Sequence, residues 1–316
     1  MRALVTGGAG FIGSHLVDRL LSSGCQVTVI DDLSSGKERN LAHARACGGD
    51  LLHVRWLDIT SPEVGSVVAQ SRPDVVFHLA AQIDVRASVA DPLRDATVNV
   101  LGTVGLLEAA RSHGAPKFVF ATSGGCIYGE PGPMDLPIDE AYCGHPAAPY
   151  GASKRAVEGY LHAFEALYGL RWTSLALGNV FGPRQDPAGE AGVVSIFGGR
   201  MLRGEPVAIF GDGEQTRDFV SVDDVVAAFM LALEGGDGLR CNIGTGEQTS
   251  VNELFTTLSD VTGNQLPAEY LPERTGELRH IALNSALAAV KLGWKPRTGL
   301  REGLEATVSW LRHERA

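Results

Sequence analysis

The chain has 316 residues, of which 44% are hydrophobic, and a formal net charge of -10 at pH 7. This acidic balance argues against a nucleic-acid partner, because nucleic-acid binding needs a basic surface. No apolar run reaches the roughly 20 residues of a membrane span, Met1 leads into a predicted strand without a signal peptide, and the five cysteines lack metal-ligand spacing, so we expect a cytoplasmic protein that binds neither metal nor membrane.

A short apolar strand at residues 2–6 leads into a glycine-rich loop and an amphipathic helix. Gly8, Gly10 and Gly13 satisfy G-x-G-x-x-G, and Gly7 extends the pattern to G-x-x-G-x-x-G. These glycines allow a tight turn, close approach to a pyrophosphate and close packing of helix on strand. The helix N-terminus then offers free N–H groups to phosphates. Strand, loop and helix in this order predict a dinucleotide-binding loop.

The second predicted strand, residues 26–30, ends in Asp31 and Asp32. An acid about 20 residues beyond the glycines suits the ribose hydroxyls of NAD and would repel the extra phosphate of NADP. The alternative is that two acids simply end a strand in a turn. Lys37 and Arg39 lie nearby and weaken the preference for NAD over NADP.

Three further strands follow in the first half of the chain. The run at residues 51–57 precedes Asp58, which either meets the adenine edge or is a plain loop acid. The apolar strand at 75–79 opens into small residues that let a cofactor lie close. After a long helix at about 88–113, which an interruption would divide, a strand at 117–121 opens into Thr122 and Ser123.

Tyr150 and Lys154 stand four residues apart at the start of a predicted helix, downstream of a loop rich in proline, glycine and acids. A spacing of four places both side chains on one helix face. Tyrosine is a poor base because its unperturbed pKa is about 10, but a nearby cation and an oxidised nicotinamide favour the phenolate. An isolated match is usually a surface pair, and the glycine loop upstream favours the catalytic interpretation.

Helix and strand patterns alternate through the first half, which predicts an α/β fold with a Rossmann-type, doubly wound parallel sheet. From about Asn179 the alternation weakens. We therefore predict an NAD-binding domain at residues 1–178 and a smaller α/β substrate domain at 179–316, with a segment at about 217–245 returning to the first domain. Ligands of such folds lie outside the carboxyl ends of the strands.

The chain resembles the extended short-chain dehydrogenase/reductase family and, within it, the UDP-galactose 4-epimerase group of NAD-dependent sugar-nucleotide epimerases. The resemblance covers nearly the whole sequence. It is carried by residues 6–15, 31–36, 78–81, 99, 150–154, 179–184, 216–220, 242–246 and 274–277.

The resemblance implies an isomerase that inverts C4 of a UDP-hexose through a transient 4-keto sugar, with UDP-glucose and UDP-galactose preferred and UDP-N-acetylglucosamine accepted in part. Tyr150 would take the proton of the sugar 4-hydroxyl, and Lys154 would bind the nicotinamide ribose and hold Tyr150 ionised. The usual serine position is Gly124 here, so Ser123, or failing it Thr122, would supply the catalytic hydroxyl.

The resemblance also implies two sets of binding residues and a homodimer that pairs through helices at about 88–113 and 150–168. The implied cofactor site comprises Gly7, Gly10, Phe11, Ile12, Gly13, Asp31, Asp32, Asp58, Ile59, Leu79, Ala80, Ala81, Asn99, Tyr150 and Lys154. The implied UDP-sugar site comprises Ser123, Tyr150, Asn179, Val193, Arg217, Arg274 and Glu277. Arginine suits a diphosphate because its planar fork donates two bonds, although Arg217 could instead pair with Asp218.

Three alternatives remain within this reading. A sugar-nucleotide 4,6-dehydratase or decarboxylase would need an acid or base after Ser123, where Gly124, Gly125 and Cys126 stand. Cys126 resembles the cysteine base of the family's 3,5-epimerases, but the Lys or His that those enzymes also need is missing near residues 182–184, so we favour a packing role for Cys126. A UDP-glucuronate 4-epimerase is disfavoured because Asp186 would repel a carboxylate. A non-catalytic NAD-binding protein would not need the Tyr150 and Lys154 pair.

Pocket size at the sugar bears on the N-acetyl substrate. In related epimerases, a bulky side chain at the position matching Ile281 restricts the 2-substituent of the sugar. Because Ile281 is of intermediate size, we expect partial acceptance of UDP-N-acetylglucosamine.

Overall fold

The structure is a computed structural model that describes residues 1–114, 116–187, 192–273 and 278–313. Its strands are β1 (Arg2–Thr6), β2 (Gln26–Asp31), β3 (Leu52–Trp56), β4 (Val75–His78), β5 (Lys117–Ser123), β6 (Trp172–Leu177), β7 (Asn179–Phe181), β8 (Val207–Phe210), β9 (Thr216–Arg217), β10 (Phe219–Ser221), β11 (Leu239–Ile243), β12 (Thr249–Ser250) and β13 (Ala268–Leu271). Its α-helices are α1 (Phe11–Ser22), α2 (Ala42–Gly48), α3 (Val64–Ser71), α4 (Val85–Ala90), α5 (Pro92–Ala96), α6 (Thr103–Ser112), α7 (Pro149–Tyr168), α8 (Val193–Leu202), α9 (Val222–Leu231), α10 (Val251–Thr262), α11 (Ala286–Lys291) and α12 (Leu300–His313).

The central sheet of the described chain has seven parallel strands in the order β3-β2-β1-β4-β5-β6-β11. The strand order reverses direction between β1 and β4, which is where a doubly wound fold opens a crevice for its ligand. The register places Thr6 beside Ile30 of β2 and beside His78 of β4. The predicted Rossmann-type α/β fold is therefore confirmed.

Alternating residues of β1 explain why the sheet is covered on both faces. Ala3 and Val5 are buried in one core with α1 and α9, whereas Leu4 is buried in a second core with α3, α6 and α7. A parallel sheet buried on both faces needs apolar residues on each face, as Ala3, Leu4 and Val5 of β1 provide. The sheet edge that bears the carboxyl ends is left to the loops.

The long helix predicted at about 88–113 is divided into three parts by proline and by a wide helical turn. Asp91 caps α5 by accepting a hydrogen bond from the Arg94 N–H at 3.0 Å, and Pro92 occupies the first helical position. A π-helical segment, Thr97–Gly102, then connects α5 to α6. Turns of this kind are frequent at functional sites, and this one carries Asn99.

The second half of the chain builds a further apolar core and also returns to the large sheet. Buried side chains of α8, α10 and α12 form the third core together with β8. Strand β11 pairs with β6 at the edge of the large sheet, and α9 packs on α1. A return of the chain lies within the predicted range of about 217–245, while the domain division at residue 178 stays a prediction.

Candidate active site

A cleft of about 1270 Å³ runs along the carboxyl ends of β1, β2, β4, β5 and β6. Its walls include the glycine loop at one end and the start of α7 at the other. The predicted site residues that line it are Gly7, Gly10, Phe11, Ile12, Gly13, Asp31, Asp32, Asp58, Ile59, Leu79, Ala80, Ala81, Ser123, Tyr150, Lys154, Asn179 and Arg217.

The glycine loop is shaped for a group that needs close backbone contact. Gly7 has a φ of +71°, and a Cβ there would lie 2.8 Å from the Ala80 backbone nitrogen. A Cβ on Gly13 would collide with the Gly7 carbonyl oxygen. Helix α1 begins at Phe11, so the unpaired N–H groups of its first turn face the cleft. This loop fits the pyrophosphate of a dinucleotide.

Asp31 and Asp32 close the end of β2, and the loop already uses much of their hydrogen-bonding capacity. Asp31 accepts bonds from the backbone N–H groups of Ala9 and Leu33, both at 2.9 Å. Burial raises the pKa of Asp31. Asp32 is exposed and accepts from the Ser34 backbone and hydroxyl. These contacts agree with the turn-forming interpretation, and the ribose-binding interpretation stays a prediction.

Two further predicted cofactor residues, Asp58 and Asn99, differ in whether they line the cleft. Asp58 lines it, but its Oδ1 accepts bonds from the Thr60 N–H and hydroxyl, both at 2.7 Å. Asn99 is buried outside the cleft wall. Its amide donates to the Gln82 carbonyl at 3.0 Å and to the Ser153 hydroxyl at 3.2 Å. Asn99 therefore lies where it can hold the cofactor-facing segment, residues 79–82, rather than the cofactor.

Tyr150, Ser123 and Lys154 meet at the far end of the cleft. The Ser123 side chain lies near enough to the Tyr150 phenol to lower its pKa. The Lys154 ammonium donates to the Ala121 carbonyl oxygen at 3.1 Å and lies 4.9 Å from the Phe120 ring centroid. Burial lowers the pKa of Lys154 to about 8, opposed by the charge of Asp95. A phenol, a hydroxyl and a lysine ammonium that loses its proton more readily than usual therefore lie together in this part of the cleft.

The direction of the Tyr150 shift differs from the sequence expectation. Burial raises the pKa of Tyr150, the charges of Cys126 and Asp95 raise it further, and the nearby Ser123 side chain lowers it. Desolvation disfavours a phenolate among apolar walls. In the protein by itself, this effect outweighs the cation one helical turn away, which the sequence pattern alone could not weigh.

Packing explains the missing serine at position 124. A Cβ on Gly124 would collide with the Leu283 side chain and lie 3.2 Å from the Ala176 carbonyl oxygen. Ser123, one residue earlier, lies near Tyr150 and lowers its pKa, whereas the Thr122 Oγ1 is buried without a hydrogen-bond partner. These contacts favour Ser123 over Thr122 as the hydroxyl beside the base. Cys126 also lines the cleft; burial raises its pKa, and Ser123 opposes that rise.

The predicted substrate residues separate into three groups. Asn179 and Arg217 line the cleft beside Tyr150. The sequence also offers Asp218 as a partner for Arg217. Its carboxylate accepts bonds from Thr245, Gly246 and Leu283, so these hydrogen bonds belong to a buried structural turn. Val193 begins α8 and packs against the third core rather than the cleft. The predictions for Arg274 and Glu277 lie outside the described residues.

Two sequence arguments about specificity need correction. Asp186 forms an ion pair with Lys37, so its charge is already compensated and does not stand as a free repulsive carboxylate at the sugar. Ile281 is 2% exposed and packs in an apolar cluster with Tyr128 and Leu283, away from the cleft wall. Leu278, which sequence reasoning passed over, lines the cleft instead.

Comparisons with known proteins agree with this geometry. The family model described as NAD dependent epimerase/dehydratase matches residues 3–244. The chain is 48% identical over 315 residues to UDP-glucose 4-epimerase of Mycolicibacterium smegmatis, covering 99% of each.

Two solved structures are similar over essentially the whole chain. One is UDP-glucose 4-epimerase of Thermotoga maritima with UDP-glucose, which is 48% identical, has a TM-score of 0.96 and is matched over 100% of both chains. The other is UDP-glucose 4-epimerase of Thermus thermophilus in complex with NAD, which is 42% identical, has a TM-score of 0.92 and is matched over 99% of both. The family predicted from the motifs is confirmed, and the chain belongs to the NAD-dependent epimerase/dehydratase family.

Proposed function

We propose that this protein interconverts a UDP-hexose and its C4 epimer through a transient 4-keto sugar, with NAD as a bound cofactor. The observation that carries the proposal is the contact of Tyr150 with Ser123, beside Lys154, in the same cleft as the glycine loop. The relatives named above act on UDP-glucose, and one of them is a complex with NAD.

The dinucleotide would lie along the glycine loop with its adenosine end at Asp31. Gly7 and Gly13 let the loop pack tightly against the Ala80 backbone and against itself, and the first turn of α1 faces the cleft. Ala80 and Ala81 line the same cleft, with Ala80 beside Gly7. Bound NAD supplies a reversible hydride acceptor for C4 of the sugar.

The residues of this chain supply the acid–base chemistry. Tyr150 takes the proton of the 4-hydroxyl and returns it after the keto sugar has turned over. Ser123 lies near the Tyr150 hydroxyl and lowers its pKa. Lys154, whose pKa of about 8 keeps its proton labile, places a cation near the site where the phenolate forms. Proton transfer by a positioned side chain contributes typically ~100-fold or more to rate.

The nucleotide end of the substrate would lie against Asn179 and Arg217. Both line the cleft, and the charge of the Arg217 guanidinium lowers the pKa of Cys126, which supports a position near the catalytic end. A guanidinium is suited to bidentate contact with a diphosphate. Arg274 and Glu277 belong to the same proposal on the family resemblance.

The test is a parallel assay of UDP-glucose, UDP-N-acetylglucosamine and UDP-glucuronate with all sugar products resolved. We expect UDP-galactose from UDP-glucose as the preferred reaction. Because Asp186 is paired with Lys37, rejection of UDP-glucuronate has to come from elsewhere in the site. A decarboxylated or dehydrated product without the C4 epimer would contradict the proposal.

We further propose a cytoplasmic homodimer. Several large apolar side chains on α4 to α7 are exposed, namely Val89, Leu93, Leu101, Tyr160, Leu167 and Tyr168. An exposed apolar patch of this kind is typical of a protein–protein contact, and a second copy would cover it with the same surface. All five cysteines are free, as in a reducing compartment. Among the described helices, none is both long and apolar enough to cross a membrane. A monomer by light scattering at micromolar concentration would contradict the dimer.

A further inference from the structure

A buried carboxylate lies behind the catalytic residues. Asp95 is on α5, a helix that is otherwise largely exposed, yet its own exposure is 1%. Its Oδ1 accepts hydrogen bonds from the Gln82 amide at 3.0 Å and from the Asn99 amide at 3.1 Å. A buried acid is costly unless it is hydrogen-bonded or paired, so a structural reason alone would favour an apolar residue here.

The two amides connect Asp95 to both sides of the active site. Asn99 accepts from the Gln82 N–H at 2.8 Å and donates to the Ser153 hydroxyl, which donates in turn to the Tyr150 carbonyl oxygen at 3.0 Å. Gln82 itself lines the cleft beside Ala81. One carboxylate thus holds the cofactor-facing segment and the first turn of α7 in a single network.

The charge of Asp95 acts on the same residues. Lys154 and Tyr150, both on α7, are the titratable groups that face it electrostatically, and Asp95 raises the pKa of each. From β4, His78 faces Lys154, but burial and the lysine charge lower the pKa of His78 to about 3, so it is neutral. The charge of Cys126 also acts on Tyr150 and raises its pKa.

We propose that Asp95 is a positioning residue of the epimerase reaction: its carboxylate fixes Gln82 and Asn99 and supplies the negative charge that faces Lys154 and Tyr150. The inference rests on the proposed function, since it concerns the same site. It assigns Asp95 no contact with substrate or cofactor. A buried polar network fixes the positions of its residues when every member is hydrogen-bonded.

The test is the pH profile of kcat for Asp95→Asn, which keeps the shape and removes the charge. Since Asp95 raises both pKa values, its loss lowers both. The two limbs of the profile report the pKa values of Lys154 and Tyr150, so both limbs should move to lower pH. We expect kcat on the alkaline side to fall by about tenfold, with KM for the UDP-hexose changed by less than about twofold.

Three matched measurements make the result decisive. Asp91→Asn, an exposed cap on the same helix that asparagine can replace, should keep the wild-type profile. Asp95→Glu, which keeps the charge, should leave both limbs of the pH profile near their wild-type positions. If Asp95→Asn does not fold, Asn99→Ser provides a second test, because it removes one of the two amide donors to Asp95. This variant should lower kcat while both limbs of the pH profile keep their wild-type positions.

The outcomes separate the two proposals. An inactive wild type would sink the epimerase function itself. An active wild type with an Asp95→Asn variant of unchanged kcat and pH limbs, or a folded Asn99→Ser variant of unchanged kcat, would overturn the role of Asp95 alone.

Discussion

The Lys37 ammonium and the Asp186 carboxylate form an ion pair across the mouth of the cleft. Lys37 follows β2, and its backbone N–H donates to the Ala9 carbonyl of the glycine loop at 3.0 Å. Two residues before Asp186, Arg184 pairs with Asp18 of α1 at 2.7 Å. The segment that opens the second half of the chain is therefore tied by charge to the dinucleotide-binding loop.

This tie should slow the release of bound dinucleotide. We expect Lys37→Met or Asp186→Asn to speed NAD release by a few-fold, because a partly exposed ion pair contributes at most about 1 kcal/mol. The charge-reversed double variant should recover much of the wild-type rate, and added salt should reduce the difference. Stopped-flow or dialysis measurement of NAD loss, with Lys295→Met as an exposed control, provides the check; equal rates in all variants would count against it.

Tyr150→Phe should abolish turnover while leaving the fold and the bound cofactor in place. The substitution removes one hydroxyl, and the Tyr150 backbone N–H keeps its bond to the Ser88 hydroxyl at 3.1 Å. Loss of the base should lower kcat by about 100-fold or more. Product formation and released NAD are measured on the same sample. Near wild-type epimerisation would mean that another group is the base.

Ser123→Ala and Thr122→Val distinguish the two candidate hydroxyls. Ser123 lowers the pKa of Tyr150, so its loss should raise that pKa and move the limb of the kcat profile that reports Tyr150 to higher pH. Thr122 has a buried Oγ1 without a partner, so Thr122→Val should leave the limb in place. The reverse pattern would assign the catalytic hydroxyl to Thr122.

Local signals were enough to predict the Rossmann-type sheet and the cofactor end of the cleft. The apolar run of β1, the glycines after it and the spacing of Tyr150 from Lys154 each lie within a few residues of sequence. The family resemblance added the candidate substrate residues. Neither the local signals nor the resemblance could show which of these residues reach the cleft. Val193 and Ile281 instead pack in apolar clusters, because tertiary packing decides which face of an element meets the cleft.

Contacts between distant residues could not be predicted in the same way. No local pattern connects Lys37 with Asp186, or Asp95 with Gln82 and Asn99. The rise in the pKa of Tyr150 likewise comes from the depth of its burial, which composition and spacing do not report.

The glycine at position 124 offers a last prediction, because Leu283 fills the space that a side chain would need. Gly124→Ser, which restores the serine usual at this position in the family, should destabilise the protein by about 1–3 kcal/mol through overpacking. Leu283→Ala alone should also destabilise it, by about 2–5 kcal/mol, through a cavity in the cluster of Tyr128 and Ile281.

In the double variant, the new hydroxymethyl group occupies part of that cavity, so the two losses should be clearly less than additive. Thermal or urea unfolding of the four proteins measures the coupling. Gly125→Ser is the matched control, since the nearest atoms to a Cβ there are the Asn179 Oδ1 at 3.7 Å and the Ser123 Oγ at 3.9 Å, both at ordinary contact distance. Additive losses would show that Leu283 is not what excludes a serine at position 124.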